Sequence, residues 1–105
     1  MFFNNLDEDL KIGQEVFNNS LKIIDDLYPS LSQELNVDKL YPTSYGTVIM
    51  DWEKGNGDIF SLEIGSKSIG YFIEKNGRDI KQVDEKEIVS NTLEELFTDL
   101  ETFIE

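Results

Sequence analysis

Apolar residues change their period once along this chain, and the change divides it. Leu10, Phe17, Leu21, Ile24 and Tyr28 recur at helical spacing, with Ile12, Val16, Ile23 and Leu27 widening the stripe. The pattern predicts a long N-terminal helix over residues 5–28, broad enough to be the central packing helix. Pro29 ends it, because a proline disfavours helical geometry in the residue before it. Ser30 is placed to cap a short second helix through Leu35, ahead of Pro42.

From Gly46 the period falls to two. The runs TVIMDWE, DIFSLEI, SIGYFIE and DIKQV predict four short strands separated by turn residues. Asn76-Gly77 is the strongest hairpin signal, since a type I′ turn needs positive φ at both central positions. Gly55-Asn56-Gly57 suits a three-residue hairpin loop, and Gly65 opens a loop to Ser68. These loops imply a register. Trp52 faces Phe60, Met50 faces Leu62 and Val48 faces Ile64; Ile64, Leu62 and Phe60 then face Ile69, Tyr71 and Ile73, and Ile73 faces Ile80. A one-residue slip would reverse every side chain, so agreement across three turns supports the pairing.

A charged connector, DEKEIVS, leads to a last helix whose Thr92 and Glu95 match a capping box, with Asn91 as an alternative cap. Leu93, Leu96, Phe97, Leu100, Phe103 and Ile104 form its apolar stripe. The expected fold is α+β over residues 1–105 as a single domain: long N-terminal helix, short second helix, four-stranded antiparallel meander and C-terminal helix, with the helices packed on one sheet face.

Composition narrows the chemistry. Apolar residues make up 39% and aromatics 11% of the 105 residues, enough for a packed core. Histidine and cysteine are absent, which removes the usual metal ligands, thiol nucleophiles and near-neutral bases. A Ser-Lys pair at Ser66, Lys67 and Ser68 sits where ordinary turn chemistry accounts for it. Asp7-Glu8-Asp9 complements a helix N-terminus, and Asp25-Asp26 diverges by about 100° on a helix. Asp51, Glu53, Gly55, Gly57 and Asp58 lack the spacing and terminal glutamate of a calcium loop. No cofactor, metal site or catalytic residue is expected, and the chain reads as a non-enzyme.

Charge adds direction. The 22 acids against 9 bases give a net charge of −13, which opposes direct binding to nucleic acid or anionic membrane and permits basic partners. No run reaches the ~18 apolar residues of a membrane span, and the start lacks a secretion signal, so a cytoplasmic location is expected. Residues 84–105 carry 8 acids and one base, whereas residues 46–83 carry 6 acids and 5 bases. On the last helix Glu94, Glu95, Asp99, Glu101 and Glu105 form an acidic ridge with no lysine in the helix. Like-charge pairs at Glu95–Asp99 and Glu101–Glu105 cost about a few tenths of a kcal/mol each, and acids in the last turn oppose the helix dipole.

The sheet face turned away from the helices is the second candidate surface. The register puts Thr47, Ile49, Asp51, Glu53, Ile59, Ser61, Glu63, Phe72, Glu74 and Lys81 there. Ile49, Ile59 and Phe72 form an apolar patch in a polar frame, suited to a homodimer or partner contact, or to cover by Phe2 and Phe3.

The stretch PTSYGTVIMDW at Pro42–Trp52, followed by FSLEI, resembles small uncharacterised bacterial or mobile-element α+β proteins with a Pro-Thr-x-x-Gly turn and a strand ending acid-Trp. It covers about a quarter of the chain. The resemblance implies a helix-then-meander domain with a role near toxin or defence systems, and it transfers no catalytic residues. The expected function is an acidic protein–protein interaction module, an inhibitor or antitoxin-like protein that neutralises a basic surface of a partner. The alternatives are a homodimeric or partner-binding scaffold using the open sheet face, and a carboxylate-based divalent-metal enzyme.

Overall fold

A computed structural model describes residues 13–27 and 40–104. Among these described residues two helices, α1 (Gln14–Leu27) and α2 (Ser90–Ile104), accompany five strands: β1 (Leu40–Pro42), β2 (Val48–Glu53), β3 (Ile59–Ile64), β4 (Ser68–Lys75) and β5 (Arg78–Glu87). The strands form one antiparallel meander in the order β1-β2-β3-β4-β5.

The expected fold class is corrected by this architecture. Among the described residues the sheet has five strands, not four, and the helix that carries Phe17, Leu21 and Ile24 begins at Gln14, after a non-helical Gly13, so it is not continuous from residue 5. Gly13 sits at its N-cap, its carbonyl accepting the Phe17 N–H at 3.1 Å. Residues 5–12 of the expected long helix, and the expected short second helix from Ser30 to Leu35, lie outside the described residues. The extra strand is β1, which pairs Leu40 with Met50, Tyr41 with Ile49 and Pro42 with Val48. An edge strand tolerates a proline that a central one would not.

The two central hairpins adopt the register that the alternation implies. Trp52 faces Phe60, Met50 faces Leu62 and Val48 faces Ile64; Phe60, Leu62 and Ile64 then face Ile73, Tyr71 and Ile69. Asn76 (φ 56°) and Gly77 (φ 76°) both take the positive φ that a type I′ turn requires. Beyond that turn the expected pairing fails. Glu74 faces Asp79, but Ile73 faces Lys81, so Ile80 is an extra residue bulged out of the ladder. A second shift follows between Ile69 and Tyr71, where Asp84 and Glu85 stand opposite Gly70 and Glu85 adopts φ 42°. The expected connector DEKE is thus the second half of β5.

Alternation buries one face of the sheet. Val48, Met50, Trp52, Phe60, Leu62, Ile64, Ile69, Tyr71, Ile73 and Val83 join Val16 and Ile23 of α1 and Leu93, Leu96, Leu100 and Phe103 of α2 in one core. Phe60 anchors it, stacked on Tyr71 with ring centroids 5.2 Å apart and edge-on to Trp52 and Phe103. Asn19 ties α1 to the β3–β4 hairpin, donating through Nδ2 to the carbonyls of Gly65 and Ser66, each at 2.9 Å. Both described helices therefore lie on one side, and among the described residues no element lies across the other.

Candidate functional site

The acids of α2 do not form a uniform free ridge. Lys81, carried to the helix side by the Ile80 bulge, places its Nζ 3.0 Å from Glu95 and 2.6 Å from Asp99. The repulsion that the helix sequence leaves unrelieved is thus relieved from the sheet, and Lys81 is not on the open face where the simple register put it. Asp99 also accepts the Tyr71 hydroxyl at 2.6 Å. Burial first, and then the Asp99 hydrogen bond and negative charge, drive the Tyr71 phenol well above its ordinary value. Hydrogen bonds to Asp99 and then Glu95 push Lys81 up as well.

A base for the last turn of α2 also comes from elsewhere. Lys54, in the β2–β3 loop, donates to the Phe103 carbonyl at 2.9 Å and lies 5.5 Å from the Phe103 ring centroid. Glu94 and Glu101 remain exposed on the helix, while Glu105 lies outside the described residues.

The open sheet face is built differently. The basic residues of the strands all fall at positions facing the helices: Lys75 opposite Arg78, Lys81 opposite Ile73, Lys86 opposite Ile69. The opposite face takes the acids. Asp51 pairs with Ser61, Glu63 with Ile49 and Gly70, and Glu74 with Ile59 and Asp79. The near-neutral sheet is neutral only in sum. Its charge is sorted by face, acids outward and bases toward the helices.

Neutral donors orient these outward carboxylates. Thr47 donates its hydroxyl to Glu63 Oε2 at 2.6 Å, and with that proton committed the 2.7 Å contact to Thr43 is made by the Thr43 hydroxyl as donor. Gln82 Nε2 donates to Asp84 Oδ1 at 3.0 Å, and the Tyr41 hydroxyl to Asp51 Oδ2 at 3.2 Å. Among the described residues none of these three carboxylates has an ion pair.

A groove of about 520 Å³ crosses this face, lined by Thr47, Ile49, Ser61, Glu63, Gly65, Ser68, Gly70, Tyr71, Phe72, Gln82, Val83, Asp84 and Glu85. Gly70 supplies its depth. A Cβ there would meet the Val83 carbonyl oxygen at 3.1 Å, so the bulged β5 backbone approaches because Gly70 has no side chain. Phe72, 37% exposed, stands beside it; Ile49 and Ile59 are half-buried.

The structure brings Ile49, Glu63 and Phe72 together in one groove and leaves Asp51 and Ile59 on the same face alongside it. Gly70, Gln82, Asp84 and Glu85 are the residues that sequence reasoning missed. A lone glycine inside the strand pattern SIGYFIE was the available signal, since such a glycine marks a bulge or close backbone approach.

Asp58, the closing residue of the weak calcium-like stretch, is buried and spent on structure. Its Oδ1 accepts the Asn76 N–H at 3.1 Å and its Oδ2 the Asn56 side-chain amide at 3.2 Å, joining two hairpin loops. Among the described residues no group of three or more acids is placed to hold a metal ion, and no helix is long and apolar enough to cross a membrane. No family model matches the chain, and neither a curated protein nor a solved structure matches it.

Proposed function

We propose that this chain is a non-enzymatic, cytoplasmic protein-binding module whose open sheet face neutralises a basic surface of a protein partner, in the manner of an inhibitor or antitoxin. The observation that carries the reading is the sorting of charge across the sheet: outward Asp51, Glu63 and Asp84 are held by neutral donors and have no ion pair among the described residues. Carboxylates held in this way lose little conformational freedom on meeting a cation. The exposed helix acids Glu94 and Glu101 add to the field that steers such a partner, but the paired Glu95 and Asp99 have their cation already.

Capture from a cell extract at low and high salt tests this, using the wild type, the sheet variant D51N/E63Q/E74Q and the helix variant E94Q/E101Q. One basic protein should be retained by the wild type and the helix variant, and lost by the sheet variant and at high salt. Retention that ignores salt and the sheet variant sinks the proposal, and loss confined to the helix variant moves the function to α2.

A further inference from the structure

We infer that the groove on the open sheet face docks an arginine-bearing segment of a partner polypeptide, with one guanidinium seated over Gly70; this rests on the reading just given. Gly70 lies between Glu63, its partner on β3, and the Asp84–Glu85 bulge of β5. With neighbouring strands about 4.8 Å apart, the acid-bearing strands flank the glycine at roughly 10 Å from each other. A cation over Gly70 therefore has acids on both sides.

The chemistry of the flanks selects among cations. Thr47 donates to Glu63 Oε2 and Gln82 to Asp84 Oδ1, so in each carboxylate the second oxygen is the acceptor a ligand would use. A planar guanidinium with five N–H donors can serve two separated acceptors and lay its face on the Phe72 ring; a compact ammonium serves one side at a time. A groove of about 520 Å³ lies within the roughly 300–1,000 Å³ range of small-ligand sites, room for a few side chains.

Charge decides between occupants. The parts of this chain outside the described residues, 1–12, 28–39 and 105, carry six acids against two bases, the wrong sign for an acidic groove. A second copy placed on this face by a two-fold axis sets like acids against each other. A cationic foreign segment is the complement.

The test is a two-dimensional amide NMR titration of the full chain with the capped peptide Leu-Arg-Leu-Arg-Leu and its lysine counterpart. The expected result is shifts concentrated at Glu63, Gly70, Phe72, Asp84 and Glu85, and affinity for the arginine peptide at least about threefold above that for lysine. E63Q and D84N should each weaken binding about fivefold or more, with the rest of the spectrum in place. G70A fills the seat and should abolish binding; because it can disturb the bulge, the two carboxylate variants carry the decision. Equal affinity for the two peptides, shifts centred on α2, or no shifts at all overturns the inference. If such a result accompanies a captured basic protein that the sheet variant loses, the proposed function stands and only the arginine seat falls.

Discussion

Asp99 and Glu63 are both carboxylates, each hydrogen-bonded by a hydroxyl at 2.6 Å, yet they sit on opposite sides of the sheet and differ in what else they meet. Asp99 has the Lys81 ammonium at 2.6 Å, whereas among the described residues Glu63 has the Thr47 hydroxyl and no ion pair. On the helix side an acid is part of what docks α2 onto the sheet. On the open side an acid is positioned by a neutral hydroxyl, with no ion pair among the described residues. The same residue type therefore reports structure in one place and a candidate binding surface in the other, and the counter-ion distinguishes them.

The largest separation should appear in stability. D99A leaves the buried Tyr71 hydroxyl and the Lys81 ammonium without their main partner, and should cost about 2 kcal/mol in urea unfolding, within the range for hydrogen bonds to charged groups. E63Q removes an outward acid with no ion pair, and should change stability by no more than about 0.5 kcal/mol. Equal losses from the two would erase the contrast between the faces.

Alkaline pH offers a second separation. Tyr71 titrates at 10.0 when unperturbed and is raised in the fold, so the native state holds its proton where the unfolded chain has lost it. Lys81, ordinarily 10.5, is raised too. Both contributions are fully present below the unfolded values and are lost as pH climbs through the range above them. Thermal midpoints should thus fall above about pH 10 in the wild type. Y71F should flatten the tyrosine part of that fall, whereas E63Q and D84N should leave its slope unchanged. A slope insensitive to Y71F would remove Tyr71 as its source.

The two central hairpins were legible because two turns with separate glycine signals demanded a consistent register. The misreadings cluster on the edges. β1 is three residues long and ends on a proline, so neither length nor propensity announces it; only pairing with β2 makes it a strand. β5 carries two bulges, and each moves one residue out of the alternation on which face assignment depends. The first bulge turned Lys81 from an open-face residue into the counter-ion of α2. That single shift explains why the Glu95–Asp99 pair looked unrelieved. Ile49, Asp51, Ile59 and Glu63 share one face because β2 and β3 pair without a register shift, and Phe72, opposite Ser61 on β3, joins them there. Gly70 was visible as an oddity, but its role depends on how closely Val83 approaches, which no local pattern encodes.

The smallest effect sharpens the comparison most. Outward acids without counter-ions repel one another, and the chain as a whole carries −13. Salt should therefore stabilise the wild type slightly, by about a few tenths of a kcal/mol between low and physiological ionic strength. The triple variant D51N/E63Q/E74Q should start more stable at low salt and gain less on screening. The opposite response belongs to the helix side: K81M, which leaves Glu95 and Asp99 facing each other without a cation, should be less stable than the wild type and should gain more from salt. Measured by chemical unfolding across a salt series, the two variants should bracket the wild-type slope. If K81M and the triple variant shift that slope in the same direction, the faces do not differ in how their acids are compensated, and the open face loses its claim to be the charged one held in reserve.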